Sequence, residues 1–111
     1  MKNAPDGGDA VLQAFRNLGI DYVMSSPGSE WGPVWEAMAQ QKLSNEPGPT
    51  YLTCAHETLA VGLATGYTSI TGRMQAVMLH AGVGLLQGAL GIEGALRGAI
   101  PMLVMSGGSL S

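Results

Sequence analysis

Tyr51-Leu52-Thr53-Cys54-Ala55-His56-Glu57, running on into Thr58-Leu59-Ala60-Val61-Gly62-Leu63-Ala64-Thr65-Gly66-Tyr67, is the stretch that decides the fold. A short apolar run stops at a His-Glu pair, and a longer run of small and apolar residues follows that reads as a helix. The junction places one carboxylate, Glu57, just past the carboxyl end of a strand, where open α/β sheets hold their ligands. Gly62 and Gly66 are four residues apart, share one helix face and leave room for close approach. The next apolar run ends in a second such junction, His80-Ala81-Gly82-Val83-Gly84.

The same alternation extends in both directions. Asp9 is expected to cap a helix through Ala10, Leu12, Phe15 and Leu18, with Gly19 as its stop. Residues 20–24 read as a strand, and Ser25-Ser26-Pro27-Gly28-Ser29 as a turn. Pro33 suits the first turn of a helix reaching about Leu43, and residues 44–49 read as a loop. Strands follow at 51–54, 74–79 and 102–105, with helices at 56–70 and 85–98. Apolar strands joined by helices predict an α/β fold, a doubly wound, mostly parallel sheet with helices on both faces. Right-handed crossovers would gather the loops at 27–29, 55–57 and 80–84 along one edge. Residues 1–8 are expected to form a flexible N-terminal segment, and residues 9–111 a single domain.

The bulk properties exclude several roles. With 46% hydrophobic and only 12% charged residues, the chain falls below the roughly 25% charge usual in soluble domains and is expected to bury surface against a neighbour. Net charge is −3 with five basic residues, too few to neutralise phosphates, so nucleic acid is not an expected partner. Cys54, the single cysteine, reads as a small buried hydrophobe in a reducing, cytoplasmic setting. Residues 76–92 are uncharged and apolar, yet they carry His80 and four glycines and are short of the roughly 20 residues a membrane span needs. A buried strand and helix describe them better than a membrane segment.

On a helical wheel Gly84, Gly88, Gly91, Gly94, Ala95 and Gly98 fall within an arc of about 120°. Glycine costs up to about 1 kcal/mol relative to alanine in a helix, so the stripe implies close packing. A subunit or domain interface is the favoured expectation, with packing inside the chain as the alternative. Gly82-x-Gly84-x-x-x-Gly88 also mimics a dinucleotide-binding fingerprint, although the strand ending in Ser106-Gly107 lacks the ribose-binding acid. A non-catalytic regulatory or assembly module is a third reading.

His56-Glu57-x-x-Ala60-x-x-x-Ala64-x-Gly66-Tyr67-x-x-x-Thr71-Gly72 resembles the signature of the pyrimidine-binding domain of thiamine diphosphate-dependent enzymes. The pattern is most similar to acetolactate synthases and benzoylformate decarboxylase-like 2-oxo acid decarboxylases. Ser26-Pro27-Gly28-Ser29 resembles the family's first loop, and residues 101–107 its later strand; Gln87 departs from a usual asparagine. The resemblance covers the chain from about Asp9 onward and implies a thiamine diphosphate-binding fold that is incomplete at its C-terminus. The diphosphate-binding domain, with its magnesium-holding Gly-Asp-Gly…Asn motif, is not found in this sequence.

By that resemblance Glu57 hydrogen-bonds the aminopyrimidine ring of the cofactor and favours the imino tautomer that activates thiazolium C2 towards a 2-oxo acid. A glutamate here also suits a helix N-terminus, worth about 0.3–1 kcal/mol. His80 corresponds to a histidine that assists proton transfers in decarboxylase-like relatives, and Ser29 to a serine that contacts substrate. Either could be structural instead, Ser29 as a turn or cap residue. Pro27, Gly28, Gly82 and Gly84 are the expected cofactor-binding loop residues. His56 is expected to support its loop, and Trp31 and Trp35, four apart on one helix, to pack, with a wall of the substrate pocket as the alternative. The implied partners are a small 2-oxo acid, the diphosphate-binding domain or subunit, and a second copy in a homodimer or homotetramer.

Overall fold

A computed structural model of the chain describes residues 4–26 and 28–108. Four helices, α1 (Gly7–Asn17), α2 (Gly32–Leu43), α3 (Glu57–Thr71) and α4 (Val83–Arg97), alternate with four strands. The strands are β1 (Tyr22–Ser26), β2 (Thr50–Thr53), β3 (Gln75–Leu79) and β4 (Met102–Ser106). All pairings are parallel, in the order β2-β1-β3-β4, with Met24 level with Leu52 on one side and Val77 on the other. The chain therefore reverses its direction of travel at β1, and the carboxyl ends of β1 and β3 flank the point where it does so, the usual ligand position in such sheets.

Alternate strand residues supply two cores. Val23, Ala76 and Met78 face α1 and α2, packing with Leu12, Phe15, Val34 and Met38. Met24, Val77 and Leu79 face the other way, onto Ala60, Val61 and Ala64 of α3. β3 is buried along its whole length because both faces are covered. Cys54 joins the second core as a buried free thiol whose ionisation burial pushes up, as expected of an inert cysteine.

Several boundaries differ from the sequence reading. α1 starts at Gly7, not Ala10: Asp6 is the cap, and Asp9 stands three residues on, closing a reciprocal capping box. Gly7 and Gly8 thus belong to the helix, and Gly8 is so close to Pro33 that a Cβ would overlap the Pro33 carbonyl. β1 runs two residues later than expected, so Ser25 and Ser26 lie in the strand and not in a turn. Trp31 ends a short 3-10 turn, Ser29–Trp31, and is not on α2 with Trp35. α3 does stop at Gly72, whose φ of 73° suits glycine.

The glycine stripe of α4 serves the interior of this chain, a correction to the expected interface. A Cβ at Gly88 would meet Leu79 Cδ1 at 2.9 Å, and one at Gly91 would meet Val61 Cγ1 at 2.8 Å. These glycines let α4 lie against α3 and the end of β3, whereas Gly94 faces open space. The large apolar side chains that α4 exposes are Val83, Leu85, Leu86, Leu90 and Leu96.

Candidate functional site at the carboxyl edge of the sheet

Glu57 is the first residue of α3, and His56 caps that helix by accepting the Thr58 amide on Nδ1 at 3.0 Å. Ser26, at the end of β1, donates from Oγ to Glu57 Oε2 at 2.7 Å. That hydrogen bond holds the Glu57 carboxyl below the usual glutamate range, against burial that pushes the other way; its own backbone amide and the nearby His56 and His80 add to the lowering. Glu57 is therefore an anion at neutral pH, half-buried and fixed in place.

His80 follows β3 directly, and its Nδ1 lies 3.0 and 2.9 Å from the two carboxylate oxygens of Glu30. Glu30 Oε1 also accepts the Ala81 amide at 2.7 Å. Burial pushes the Glu30 carboxyl up, but its own and Ala81's backbone amides and the His80 ring more than offset this, and the group ends below its usual range. Trp31 ties the same turn to β3 by donating from Nε1 to the Leu79 carbonyl at 3.0 Å.

Small residues let these groups meet. A Cβ on Gly84 would fall 2.8 Å from His80 Cβ and 3.5 Å from Glu57 Oε2. One on Gly28 would run into the His80 ring and the Glu30 carboxylate. Gly82 takes φ 66° at the cap of α4, a backbone shape that a side chain would strain. Of the sequence-derived site residues, the structure thus gathers Glu57, His80, Gly28 and Gly84 on one edge, with Gly82 beside them. Ser29 is exposed in the 3-10 turn and its hydroxyl makes no hydrogen bond among the described residues. Pro27 lies outside the described residues.

Ser26 and Glu30 were missed by the sequence reading. Ser26 had been placed in a turn; Glu30 carried a signal that was passed over, an acid directly after Ser29 in a loop already assigned to the edge. Among the described residues a cleft of about 740 Å³ lies beside β2, lined by Trp35, Lys42 and Tyr51, away from Glu57 and His80. The chemistry favours the edge, where Glu57 and His80 stand at the carboxyl ends of the strands.

The parallel sheet, with an anionic glutamate at a strand-to-helix junction and glycines in the loops around it, is an open α/β domain whose ligand edge lies at the carboxyl ends of β1 and β3. The chain belongs to the family of thiamine pyrophosphate enzymes, as their N-terminal TPP binding domain, which it matches over residues 5–110. It is 30% identical over 105 residues to the acetolactate synthase large subunit of Haemophilus influenzae, covering 95% of this chain and 18% of that protein. It is 27% identical over 107 residues to the Lactococcus lactis acetolactate synthase large subunit, covering 96% of this chain and again 18% of the relative. The fold is that of a thiamine diphosphate-dependent 4-hydroxybenzoylformate decarboxylase from Rhodococcus jostii, with a TM-score of 0.69 at 24% identity over 92% of this chain and 18% of that one. The chain thus spans about a fifth of these relatives, and the dinucleotide reading of its glycines falls away. Among the described residues no helix is long and apolar enough to cross a membrane.

Proposed function

We propose that the chain is the pyrimidine-binding part of a thiamine diphosphate-dependent 2-oxo acid decarboxylase or carboligase of the acetolactate synthase type. The observation that carries this reading is Glu57: an anionic carboxylate, held by Ser26 on the ligand-binding edge of the sheet. The residues present fit the cofactor. Glu57 offers an anionic acceptor to a ring nitrogen and Gly82 faces open space, while the room at Gly28 and Gly84 is taken by His80, Glu30 and Glu57.

When bound, thiamine diphosphate supplies a carbon nucleophile at thiazolium C2 and accepts the electron pair released as a 2-oxo acid loses carbon dioxide. Glu57 would accept a hydrogen bond from a protonated ring nitrogen of the aminopyrimidine, which would favour the ring's imino tautomer. His80 stands on the same edge as the group able to give or take a proton beside the substrate. Ser29, exposed at the mouth, is a substrate contact in this reading.

Among the described residues no three His, Cys, Asp or Glu side chains stand close enough to hold a metal ion. In this proposal magnesium, with the diphosphate it binds, is held by a separate domain or subunit. A homodimer or homotetramer is the proposed assembly, with the exposed leucines of α4 at its contacts, and a reducing cytoplasm suits the lone thiol. The test is hydrogen–deuterium exchange at cofactor C2 in the intact protein. Glu57→Gln should slow it severely, and exchange at the wild-type rate would leave a non-catalytic module as the better reading.

A further inference from the structure

We propose that Glu30 is the positioning residue for His80, fixing its proton on Nδ1 and leaving Nε2 as the working nitrogen at the cofactor edge. The inference rests on the reading of that edge given above and extends it to a residue outside the motif.

The argument starts from donors and acceptors. A carboxylate has no proton to give, so an Nδ1 that sits 2.9–3.0 Å from both oxygens of anionic Glu30 must be the donor. Neutral His80 then carries its proton on Nδ1 and has its lone pair on Nε2, which has no hydrogen-bond partner among the described residues. The second contact of Glu30, with the Ala81 amide, stops the carboxylate from rotating away. The pair is also asymmetric in exposure: the Glu30 side chain is 20% exposed and that of His80 51%. The acid is thus the sheltered anchor, and the imidazole the accessible end.

The packing is built around this carboxylate. Glu30 lies between Gly28 on its own loop and Gly107 just after β4; a Cβ at Gly107 would fall 3.2 Å from Glu30 Cδ. Loops after β1, β3 and β4, far apart in sequence, therefore converge on one acid. Other ionisable groups among the described residues of this edge are Glu57, first on α3, His56, its cap, and the buried thiol of Cys54 after β2. His56 provides an internal contrast. Its Nδ1 accepts the Thr58 amide, so when neutral it carries its proton on Nε2. The two histidines of the chain should hold opposite tautomers, each set by its partner.

Nitrogen-15 NMR of histidine-labelled intact protein reads this directly, with His80→Asn and His56→Asn identifying the resonances. The expected result at a pH where both rings are neutral is Nδ1–H for His80 and Nε2–H for His56. Glu30→Ala should move His80 towards Nε2–H and leave His56 unchanged, and Glu30→Asp should restore the wild-type signature at least in part. In the cofactor-loaded protein, Glu30→Ala should lower kcat about as much as His80→Ala does, while exchange at cofactor C2, which reports Glu57, continues. Nε2–H on wild-type His80, an unaltered tautomer in Glu30→Ala, or a shifted tautomer without any loss in kcat would each overturn the proposal. Wild-type C2 exchange in Glu57→Gln would instead overturn the cofactor reading and leave the tautomer result standing.

Discussion

Ser26 and Glu57, 31 residues apart in sequence, meet through a 2.7 Å hydrogen bond that locks the end of β1 to the start of α3. Each residue sits at a strand-to-helix junction, so the contact fixes the spacing of the two loops that frame the edge as well as the charge on it. A hydroxyl donating to an anionic oxygen at this distance is among the stronger hydrogen bonds a protein makes.

Ser26→Ala should therefore raise the Glu57 pKa back towards that of an ordinary carboxyl. The sign of the stability change follows. Because the folded pKa is depressed, this contribution is fully present above the unfolded value, roughly 4.3, and is lost as pH falls through the lower folded value. The variant should lose about 1.5–3 kcal/mol near neutral pH and less once the medium is acid enough to protonate Glu57 in the wild type. Urea unfolding of both proteins across that range is the measurement; a pH-independent difference would mean that the hydroxyl acts through packing alone.

Glu57→Gln keeps the size of the side chain and a hydrogen-bonding oxygen but removes the negative charge. Acid–base groups of this kind contribute about 10²–10⁴-fold, so exchange at cofactor C2 should fall within that range. Ser26 can still donate to the glutamine oxygen, so the fold should persist, which circular dichroism and a thermal melt would show. A fall in activity accompanied by unfolding would make the residue structural.

How much of this could be read from the chain depends on how far apart in sequence the deciding residues lie. The strand and helix order was legible because each element carries its own local pattern, as in the apolar run at 76–79 that follows a Gly-capped helix. The start of α1 was misplaced because Asp6 and Asp9 are both good caps, and only the backbone shows that they act together. The neighbours of β1 were not legible at all, since strand order is set by pairing across the sheet. The same limit applied to the site. Glu57 announced itself through flanking residues, whereas the Glu30–His80 pair joins positions 50 residues apart. The glycines of α4 signalled closeness correctly, but glycine has no side chain to say what comes close. The answer was Val61 and Leu79 of the same chain.

That last point gives a paired test on one helix. Gly94 faces open space, so Gly94→Ala should gain the usual helix preference, up to about 1 kcal/mol. Gly91→Ala gains the same preference but places its Cβ 2.8 Å from Val61 Cγ1 and 3.3 Å from Val61 Cβ. The second of these atoms is attached to the backbone and cannot swing aside, so an overpacking cost of about 1–3 kcal/mol applies. The two variants should therefore melt on opposite sides of the wild type. If both stabilised the protein, α4 would not be seated against Val61 as described.

The exposed leucines give the final prediction. Leu86 and Leu90, four apart on one face of α4, are 74% and 84% exposed, and α3 carries a similar pair in Leu59 and Leu63. Fully burying one leucine is worth about 1.5–3 kcal/mol, so leaving this many in water strongly favours association. A partner surface over α4 would recover that energy, whereas the glycines beneath it are already occupied by Val61 and Leu79. Leu86→Lys with Leu90→Lys should then weaken assembly of the intact protein by tenfold or more, since 1.4 kcal/mol already suffices for a factor of ten. Circular dichroism should be unchanged, because neither side chain supports the core. Sedimentation velocity at several concentrations would read the shift towards smaller species. An unaltered distribution would move the assembly contact away from α4.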